Sequence, residues 1–596
     1  MLLVTLASAA DVVYMGVLSV AAEDFNSPGT WTVDDNGPVD FDSQATIYIR
    51  PDGTVDPSTA PIQRYWNLYT VTDNIMSDGD GIIIERNNVT LDGAGYTVQG
   101  TGTGIGIDLS GRSNVTIKNI EIKAFSEGVD LSWSSNNTMA GNTIVENNCG
   151  IIFSYSSNNS LFSNHIADNY HYGVLFYTRS FSNTFRDNNL SGNNYHLGDD
   201  GVGDIILNDI DTSNTVDGKP IFCVTDKHDL LVDHSTFPHG VGYLELVNCS
   251  NVLVRGLTLT HNERGLYLRH TNNTIIENVT VSNSGIGIFA YSITNCTISA
   301  NHVNKNEYSG IYLYSSHGNM ISENTISENQ LTGGIRLEHS NYNSILDNLI
   351  SESMGPGIEL GGSSSIIQGN TIQRCFDGIT VKRGNNTISE NNITDNHYGI
   401  LLPSSYNNIH SNNFINNTIQ VSTVRSYHNT WDNGYPSGGN YWSDHNPPDE
   451  DLDKIGDFPY VINENNTDRY PLIYPYGFVP KPDVNGDGVV NIKDMYIAAQ
   501  AFGTEPGDDR RDPTGDVEMD ETIGIKDLYK IWLFHNTRGF HQSIHQFLAV
   551  KRRMGTVERQ SGYWRATVLN RILQPKCKTF ACLYPVSCRS CLHCCQ

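Results

Sequence analysis

The chain has 596 residues, and its 65 Asp and Glu residues outnumber 37 Lys and Arg residues to give a formal net charge of −28. This acidity argues against nucleic acid or an anionic membrane surface as a partner, because both would repel the chain. No apolar run reaches about 18 residues, so no transmembrane segment is predicted. The length alone allows about four domains, unless one repeat occupies most of the chain.

The first 22 residues are predicted to be the remainder of a signal peptide. The segment Ala7-Ser8-Ala9 fits a cleavage site, although no basic stretch precedes it. Asn-x-Ser/Thr sequons suit an exported protein, but the repeat described below generates them automatically; they begin at Asn88, Asn114, Asn272, Asn278 and Asn392. We expect an extracellular or cell-surface protein whose residues 23–80 form an N-terminal cap.

Residues 81–435 carry a repeat in which an Asn recurs every 21 to 24 residues. Eight to ten residues after the Asn, a Gly precedes alternating apolar positions, as in Gly310-Ile311-Tyr312-Leu313. A fixed period of this length predicts a solenoid, because no repeat can bury its apolar face alone. The downstream series is Asn278, Asn301, Asn324, Asn348, Asn370, Asn391, Asn412 and Asn433, and the upstream series is Asn119, Asn142, Asn164 and Asn188.

The short alternating runs between Asn, Ser and Gly are typical of stacked β-coils. Helical-pair repeats would need apolar residues at 3.6 spacing, and leucine-rich repeats would need Leu-x-x-Leu-x-Leu framing; the chain has neither. Asn tolerates left-handed turns and can bond its counterpart one coil away, while Gly admits a tight bend. The sequence therefore predicts an all-β solenoid, a right-handed parallel β-helix of roughly fifteen coils.

The Asn-x-Ile and Gly-Ile-x-Leu coils resemble the NosD-type right-handed β-helix of the carbohydrate-binding and sugar-hydrolysis class. Residues 214–221, 247–251 and 438–444 strengthen the resemblance, with 455–460 and 470–472 continuing a predicted C-terminal cap over residues 436–480. The resemblance covers roughly residues 85 to 476 and implies a sugar-binding or sugar-cleaving rod. The family name comes from a periplasmic accessory protein linked to copper delivery, which implies a copper accessory role as an alternative.

Two columns of outward side chains are predicted on one face, at the second and fourth positions after each coil Gly. Flat aromatic rings suit sugar rings, and the Arg and Glu residues could fix hydroxyls or uronic acids. Surface aromatics also stack simply to stabilise coils, and that interpretation stays open. The predicted substrate-binding residues are Tyr267, Arg269, Phe289, Tyr291, Tyr312 and Tyr314, and the columns end in Arg336, Glu338 and Glu359.

Catalysis on this face is a further hypothesis. Glu338 and Glu359 lie one coil apart, and an inverting hydrolase needs two carboxyls about 6.5–9.5 Å apart. Arg336 would hold an anionic group, and a lyase would instead place it near the abstracted proton. A non-catalytic adhesion rod would carry the same face. His residues are scattered, without the pairing expected of a copper site.

Residues 481–536 are predicted to form a small α-helical calcium module. Oxygen ligands stand at EF-hand-like spacing, with a Gly where the loop must turn. The module resembles a type I dockerin over residues 483–534, which implies calcium-dependent folding and a cohesin partner. The predicted ligands are Asp483, Asn485, Asp487, Val489, Asn491 and Asp494 in the first loop, and Asp516, Glu518, Asp520, Thr522 and Asp527 in the second.

Two segments flank this module. In the cap, Asp449, Asp451 and Asp453 with Asp457 make an acidic loop that is either a further calcium site or a solvated loop. Residues 537–596 carry ten Lys and Arg but one acid, Glu558, together with six cysteines. We expect this tail to be disordered. The combined hypothesis is an exported rod that binds polysaccharide, with cleavage as a further hypothesis, and that is tethered through a calcium-dependent dockerin to a cohesin partner.

Overall fold

The computed structural model describes residues 45–199, 205–423, 425–451, 453–477 and 492–500, together with Val484 and Leu528. The described chain is a parallel β-helix of about 16 turns, close to the number predicted from the Asn period. Each turn contributes one short strand to each of three faces. The strands belong to two successive stacks, an N-terminal stack and a C-terminal stack.

The N-terminal stack has three sheets of parallel strands. Its first face contains Ile47–Ile49, Ile82–Ile84, Ile105–Asp108, Glu127–Asp130, Cys149–Phe153, Tyr172–Phe176 and Tyr195–Asp199, with Val55–Asp56 antiparallel at the edge. Its second face contains Leu68–Val71, Thr90–Asp92, Thr116–Lys118, Thr138–Ala140, Ser160–Phe162, Thr184–Arg186 and Asp209–Ile210, with Ile62–Tyr65 antiparallel at the edge. Its third face contains Ile75–Met76, Thr97–Gln99, Glu121–Lys123, Thr143–Val145, His165–Ala167, Asn189–Ser191 and Thr215–Val216.

The C-terminal stack repeats this arrangement. Its first face contains Lys219–Thr225, Tyr243–Val247, Arg264–Arg269, Ile286–Tyr291, Ser309–Tyr314, Gly333–Glu338, Ile358–Gly361, Asp377–Val381, Tyr398–Leu402 and Ile419–Thr423. Its second face contains Leu231–Val232, Leu253–Arg255, Ile275–Glu277, Thr297–Ser299, Met320–Ser322, Ser344–Leu346, Ile366–Gln368, Thr387–Ser389 and Asn408–His410. Its third face contains Thr258–Thr260, Thr280–Ser282, His302–Asn304, Thr325–Ser327, Leu349–Ser351, Thr371–Gln373, Asn392–Thr394, Asn413–Ile415 and Tyr441–Trp442.

The junction between the stacks is a hairpin. Thr215–Val216 closes the N-terminal stack and pairs antiparallel with Lys219–Thr225, which opens the first face of the C-terminal stack. The buried apolar residues of the β-helix accordingly divide into two clusters that meet at this hairpin. A 3₁₀ turn, Ile205–Leu207, precedes it. Among the described residues, this hairpin interrupts the run of parallel pairing between the two stacks.

Each coil buries the central residue of its short strands, because side chains alternate across a strand. Ile326 and Ile350 are fully buried in this way. The coil Gly is required where the first face bends tightly: a Cβ on Gly310 would lie 2.8 Å from the carbonyl oxygen of Gly334 in the next coil. These two constraints explain the Ile and Gly periodicity seen in the sequence.

Buried Asn residues form ladders at the corners of the coils. In each ladder the side-chain amide of one Asn donates to the side-chain oxygen of its counterpart one coil later, at 2.8 to 3.3 Å. Such ladders lie at all three corners of the coil, whereas the sequence period revealed the ladder at one corner only. The longest runs through Asn301, Asn324, Asn348, Asn370, Asn391, Asn412 and Asn440.

Three members of the predicted Asn series do not belong to the ladder. Asn119 and Asn278 lie one position earlier, with φ of 52° each, where the corner turns in the left-handed region. The next residues, Ile120 and Val279, donate their backbone N–H to the ladder. Asn440 takes the predicted place of Asn433, because the last coil is longer. The left-handed position also suits Asn, so the sequence pattern does not separate the two positions.

Parallel pairing extends past both ends of the predicted repeat. Ile47–Ile49 pairs with Ile82–Ile84, and Tyr441–Trp442 pairs with Asn413–Ile415. An antiparallel hairpin, Tyr460–Asn463 with Asn466–Asp468, completes the C-terminal cap. The cap closes the apolar core with Trp431 and Trp442, both fully buried.

One α-helix, Ile492–Gln500, is described within residues 481–536. Of the predicted calcium ligands, Asp494 lies in its first turn and is buried, and the other ten fall outside the described residues. Val484 and Ala498 pack together, with Leu528 against them. A complete two-helix module is thus not shown. Within the described residues, no helix is long and apolar enough to cross a membrane.

Candidate functional site

The two predicted columns exist as rows of paired strand positions on the first face of the C-terminal stack. In the first column, Tyr267 pairs with Phe289, which pairs with Tyr312, and the column continues to Arg336 and Glu359. The second column runs through Arg269, Tyr291, Tyr314 and Glu338 in the same register. The register derived from the Gly and Asn period is confirmed.

The aromatic rings of both columns stack along the rod. The Tyr267 and Phe289 centroids lie 5.2 Å apart with ring planes 14° from parallel, and Tyr291 and Tyr314 lie 5.6 Å apart at 7°. The columns differ in access, however. Tyr267 and Phe289 are only 3% and 9% exposed, whereas the other column is half-buried. The accessible aromatic surface of the two columns is therefore formed by Tyr291, Tyr314 and part of Tyr312.

The downstream end of the columns is a network of charges. Arg336 Nη2 donates to Glu338 Oε2 at 2.9 Å, and Tyr312 donates its hydroxyl to the same oxygen at 2.6 Å. Arg336 Nε lies 3.3 Å from Glu359 Oε1, without the alignment of a hydrogen bond. Lys382 Nζ lies 2.8 Å from that Glu359 oxygen. One guanidinium thus bridges the two predicted catalytic carboxylates, and Lys382 is a fourth charged member that the sequence columns missed.

Burial and Glu338 raise the pKa of the Tyr312 phenol. The hydroxyl consequently stays protonated at neutral pH and remains a donor. Together with Arg336 and Lys382 it makes this end of the face rich in donors, which suits carboxylate or hydroxyl groups of a ligand. The Glu338 and Glu359 oxygens provide the acceptors.

The upstream end of the first column was not predicted and is fully buried. Glu245 pairs with Tyr267, and its Oε1 has no hydrogen-bond partner; Tyr243 donates to Oε2 at 3.2 Å. Burial, with the nearby Asp199 charge, raises the pKa of Glu245 to about 8. Sequence counting missed this residue because Tyr243 occupies the position at which later coils carry Gly, as Gly265 does.

Arg264 connects this buried end to the N-terminal stack. Its guanidinium donates to both oxygens of Asp199, at 3.0 and 2.5 Å, and lies over the rings of Tyr267 and Phe289 at 4.6 and 5.0 Å. Burial would lower the pKa of Arg264, but Asp199 and Glu263 raise it overall. The charged cluster therefore anchors the buried half of the aromatic column.

The acidic loop of the cap brings three carboxylates together. Asp449, Asp451 and Asp453 place one oxygen each within 4.8 Å of one another, the only such group of three or more His, Cys, Asp or Glu side chains in the described part of the chain. Backbone N–H groups of Asp453 and Lys454 donate to Asp449 at 3.1 Å. Asp457 binds the N–H of Glu450 instead and supports the loop.

The chain matches two protein families. Residues 63–237 match the family described as a right handed β-helix region, and residues 200–354 and 330–447 match the family described as a periplasmic copper-binding protein (NosD). No curated protein matches the chain closely enough to count as a relative.

Solved structures similar to the chain have low identity and low TM-scores. The A-module of the Azotobacter vinelandii mannuronan C-5 epimerase AlgE6 is 14% identical with a TM-score of 0.25, and the match covers 59% of this chain and 89% of that one. The periplasmic alginate epimerase AlgG is 14% identical with a TM-score of 0.22, and the match covers 61% of this chain and 80% of that one. The alginate lyase AlyF-OU02 is 10% identical with a TM-score of 0.22, and the match covers 59% of this chain and 81% of that one. These values carry no argument about activity. From its paired sheets and its family matches, the described chain is a right-handed parallel β-helix.

Proposed function

We propose that the chain is an exported rod that binds an acidic polysaccharide along the first face of its C-terminal stack. The observation that supports this most is the continuity of the Tyr291–Tyr314 ring stack with the charged network around Arg336. Aromatic faces contact the apolar faces of sugar rings, and a neighbouring guanidinium holds a carboxylate by paired hydrogen bonds. A uronic acid residue offers both groups.

The spacing of the site supports binding to a polymer. Tyr291 and Tyr314 repeat at 5.6 Å along the rod, and Arg269 and Arg336 lie at opposite ends of this ring pair. Lys382 adds a further cation one coil beyond Glu359. Cations at both ends of an aromatic platform favour a chain with several acidic sugars over a single monosaccharide.

Binding to the face can be measured by calorimetry with a uronic acid hexasaccharide. We expect Tyr314→Ala and Arg336→Gln each to weaken binding about tenfold, because each removes one of the two recognition elements. Arg374→Gln is the matched control, since Arg374 also pairs with a Glu one coil away but lies on the third-face corner. If all three variants bind the hexasaccharide as tightly as the parent chain does, the proposal is wrong.

The same face could also cleave the polymer, with Glu338 and Glu359 as the acid and base that inverting hydrolysis needs. The adhesion-rod alternative is favoured by one observation: both carboxylates are already paired with Arg336 or Lys382. Release of reducing sugar by the parent chain, lost in Glu338→Gln and Glu359→Gln, would support hydrolysis. Product absorbing at 235 nm would indicate a lyase, and binding without any product would support the adhesion rod.

We further propose that calcium orders residues 481–536 and that this module attaches the rod to a cohesin. Support comes from the helix Ile492–Gln500, whose first turn contains the last predicted ligand of the first loop, Asp494, and from the packing of Val484, Ala498 and Leu528. The oxygen-only ligand set of the first loop suits a hard cation. Calcium-dependent retention of the full chain on an immobilised type I cohesin tests the tether. No retention with calcium present would exclude it.

A copper accessory role remains the second alternative. It derives from the NosD family match alone. His165, His234, His302 and His339 lie in different coils, whereas the rings of His196 and His261 lie 6.3 Å apart. Titration of the full chain with Cu(II), monitored by visible absorbance, tests this role directly. A stoichiometric band would favour it over the glycan proposal.

A further inference from the structure

A second pair of stacked aromatic rings lies on the N-terminal stack of strands, away from the face described above. Trp133 and Tyr155 follow successive first-face strands, and their rings lie 4.2 Å apart with planes 3° from parallel. Both are accessible: Trp133 is 67% exposed and Tyr155 is 40% exposed. The spacing is close to the strand separation of about 4.8 Å, so the two rings are in register with the coils.

One face of the Trp133 ring is uncovered because of the residue one coil earlier. The backbone N–H groups of Gly111 and Trp133 bond the carbonyls of Ser132 and Ser154, which places Gly111 at the equivalent corner position. Gly111 is exposed, and a Cβ added to it would meet no atom within 4 Å. Among the described residues, no ring or guanidinium contacts the Trp133 face opposite Tyr155. The Trp133 face opposite Tyr155 is therefore open to a flat ligand group whose thickness is about the spacing between coils.

The corner conformation is unfavourable for large residues. Trp133 and Tyr155 have φ of 54° and 51°, while the equivalent Gly111 has φ of 70°. The left-handed region costs a side chain with a Cβ roughly 1–2 kcal/mol, and bulky residues are rare there. Stacking on Tyr155 covers one face of the Trp133 ring and offsets part of this cost, but Trp133 remains 67% exposed. The pair is therefore explained better by ligand contact than by stability of the coil.

Hydrogen-bonding groups lie on the two first-face strands that lead to these corners, and on the turns that follow them. Asp130 accepts from the Ser110 hydroxyl at 2.9 Å and from the Ser132 hydroxyl at 2.6 Å. Asp108 pairs with Asp130 in the strand register and is half-buried. These carboxylate and hydroxyl oxygens are acceptors for sugar hydroxyls.

The charge around this site is negative. Burial and the charges of Asp130, Asp108 and Asp80 raise the pKa of Glu127. The neighbouring cation, Arg112, donates to the backbone carbonyls of Ser110 and Glu85. A uronic acid would be repelled here, in contrast to the Arg336 end of the other stack.

We propose that Trp133, with Gly111 one coil earlier and Asp130 at the end of the preceding strand, forms a binding site for an uncharged sugar ring. This inference rests on the proposed role of the rod in glycan binding, and it adds a second site with the opposite charge preference. One ring stacks on the free Trp133 face over Gly111, and its hydroxyls donate to Asp130. The rod then contacts a heteropolysaccharide at neutral and acidic residues separately.

The test is calorimetric titration of the full chain with three hexasaccharides, built from glucose, galacturonic acid and glucosamine. Trp133→Ala removes the stacking surface. Gly111→Tyr adds a ring that covers it, in a corner conformation that Tyr155 already adopts one coil from Trp133. Trp66→Ala is the control, because Trp66 is 79% exposed and also has a left-handed φ, on the hairpin between Ile62–Tyr65 and Leu68–Val71.

We expect the glucose hexasaccharide to bind, Trp133→Ala and Gly111→Tyr each to weaken that binding about tenfold or more, and Trp66→Ala to leave it unchanged. Galacturonate binding should depend on Arg336 and not on Trp133, so failure of one site is distinguishable from failure of the other. The inference is overturned if the glucose probe does not bind, if Gly111→Tyr retains full affinity, or if only the glucosamine probe responds to Trp133.

Discussion

Arg264 and Asp199 form a buried bidentate ion pair that joins the two stacks of the β-helix across 65 residues of sequence. Asp199 ends the last first-face strand of the N-terminal stack, and Arg264 begins a strand of the C-terminal stack. Backbone bonds from His196 to His261 and from Glu263 to Leu197 accompany the pair. The position of one stack against the other is therefore set by charge as well as by backbone pairing.

Removal of one partner of this pair should destabilise the junction strongly. Arg264→Ala leaves the Asp199 carboxylate buried without its partner, which costs about 3–5 kcal/mol. Hydrogen exchange of amides in Tyr195–Asp199 and Arg264–Arg269 measures the local loss. The control Arg374→Ala breaks an exposed pair with Glu352 and should cost less than about 1 kcal/mol. Equal effects in the two variants would contradict the structural role.

The Asn ladder should be sensitive to a single deletion. The Asn348 amide donates to Ile321, Leu346 and Asn370, and its oxygen accepts from Asn324. Asn348→Ala leaves several buried groups unsatisfied, so we expect a loss of about 2–4 kcal/mol.

Guanidinium denaturation followed by circular dichroism checks this value. The matched control is Asn272→Ala, at an exposed coil position that carries no ladder amide. A loss below about 1 kcal/mol in Asn348→Ala would show that water replaces the ladder bonds.

Glu245 should make the junction less stable as pH rises. Its folded pKa of about 8 lies above the ordinary value of 4.5, so the folded chain keeps a proton that the unfolded chain loses. The contribution of Glu245 to stability is therefore largest below pH 4.5, falls by at most about 1.4 kcal/mol per pH unit up to pH 8, and then stays constant.

Glu245→Gln should remove this slope, and comparison between pH 6.5 and 8 isolates it from Asp468, whose pKa burial raises to about 6. Denaturation midpoints at these two pH values give the measurement. A parent chain and variant with the same slope would show that Glu245 ionises without cost.

Calcium removal should affect the cap and the C-terminal module separately. Chelation with EGTA is expected to lower the helical circular dichroism signal and the melting temperature, since a ligand that binds only the folded state stabilises it. Asp487→Ala should abolish the helical change, and Asp451→Asn should abolish a change in the cap hairpin seen by hydrogen exchange. A chain indifferent to EGTA in both readouts would reject calcium at both places.

The outward columns show how far sequence reasoning reaches in a solenoid. The Gly and Asn period gave the register that pairs Tyr291 with Tyr314 and Arg336 with Glu359, because side-chain direction in a strand follows from position alone. It did not predict the solvent exposure of each side chain, because Tyr267 and Phe289 occupy the same column as Tyr312 but are buried. Burial of an outward residue depends on what packs against the rod from elsewhere in the chain.

Two of the residues that sequence reasoning missed, Glu245 and Asp199, lie where the repeat is interrupted. Glu245 follows Tyr243 in a coil that lacks the usual Gly, and Asp199 meets Arg264 only because a hairpin separates the two stacks. Trp133 was missed for another reason: it lies at a corner, outside the strand positions that the period selects. Its significance depends on Gly111, one coil away.

The sequence alone thus determined the coil, its inward Ile positions, the Asn ladder of one corner and the register, because each is dictated by local backbone geometry repeated at a constant period. Only the tertiary structure decided where the stacks meet, which columns face solvent and which charges pair. These depend on contacts between distant residues, such as Asp199 with Arg264, and a periodic pattern contains no information about them.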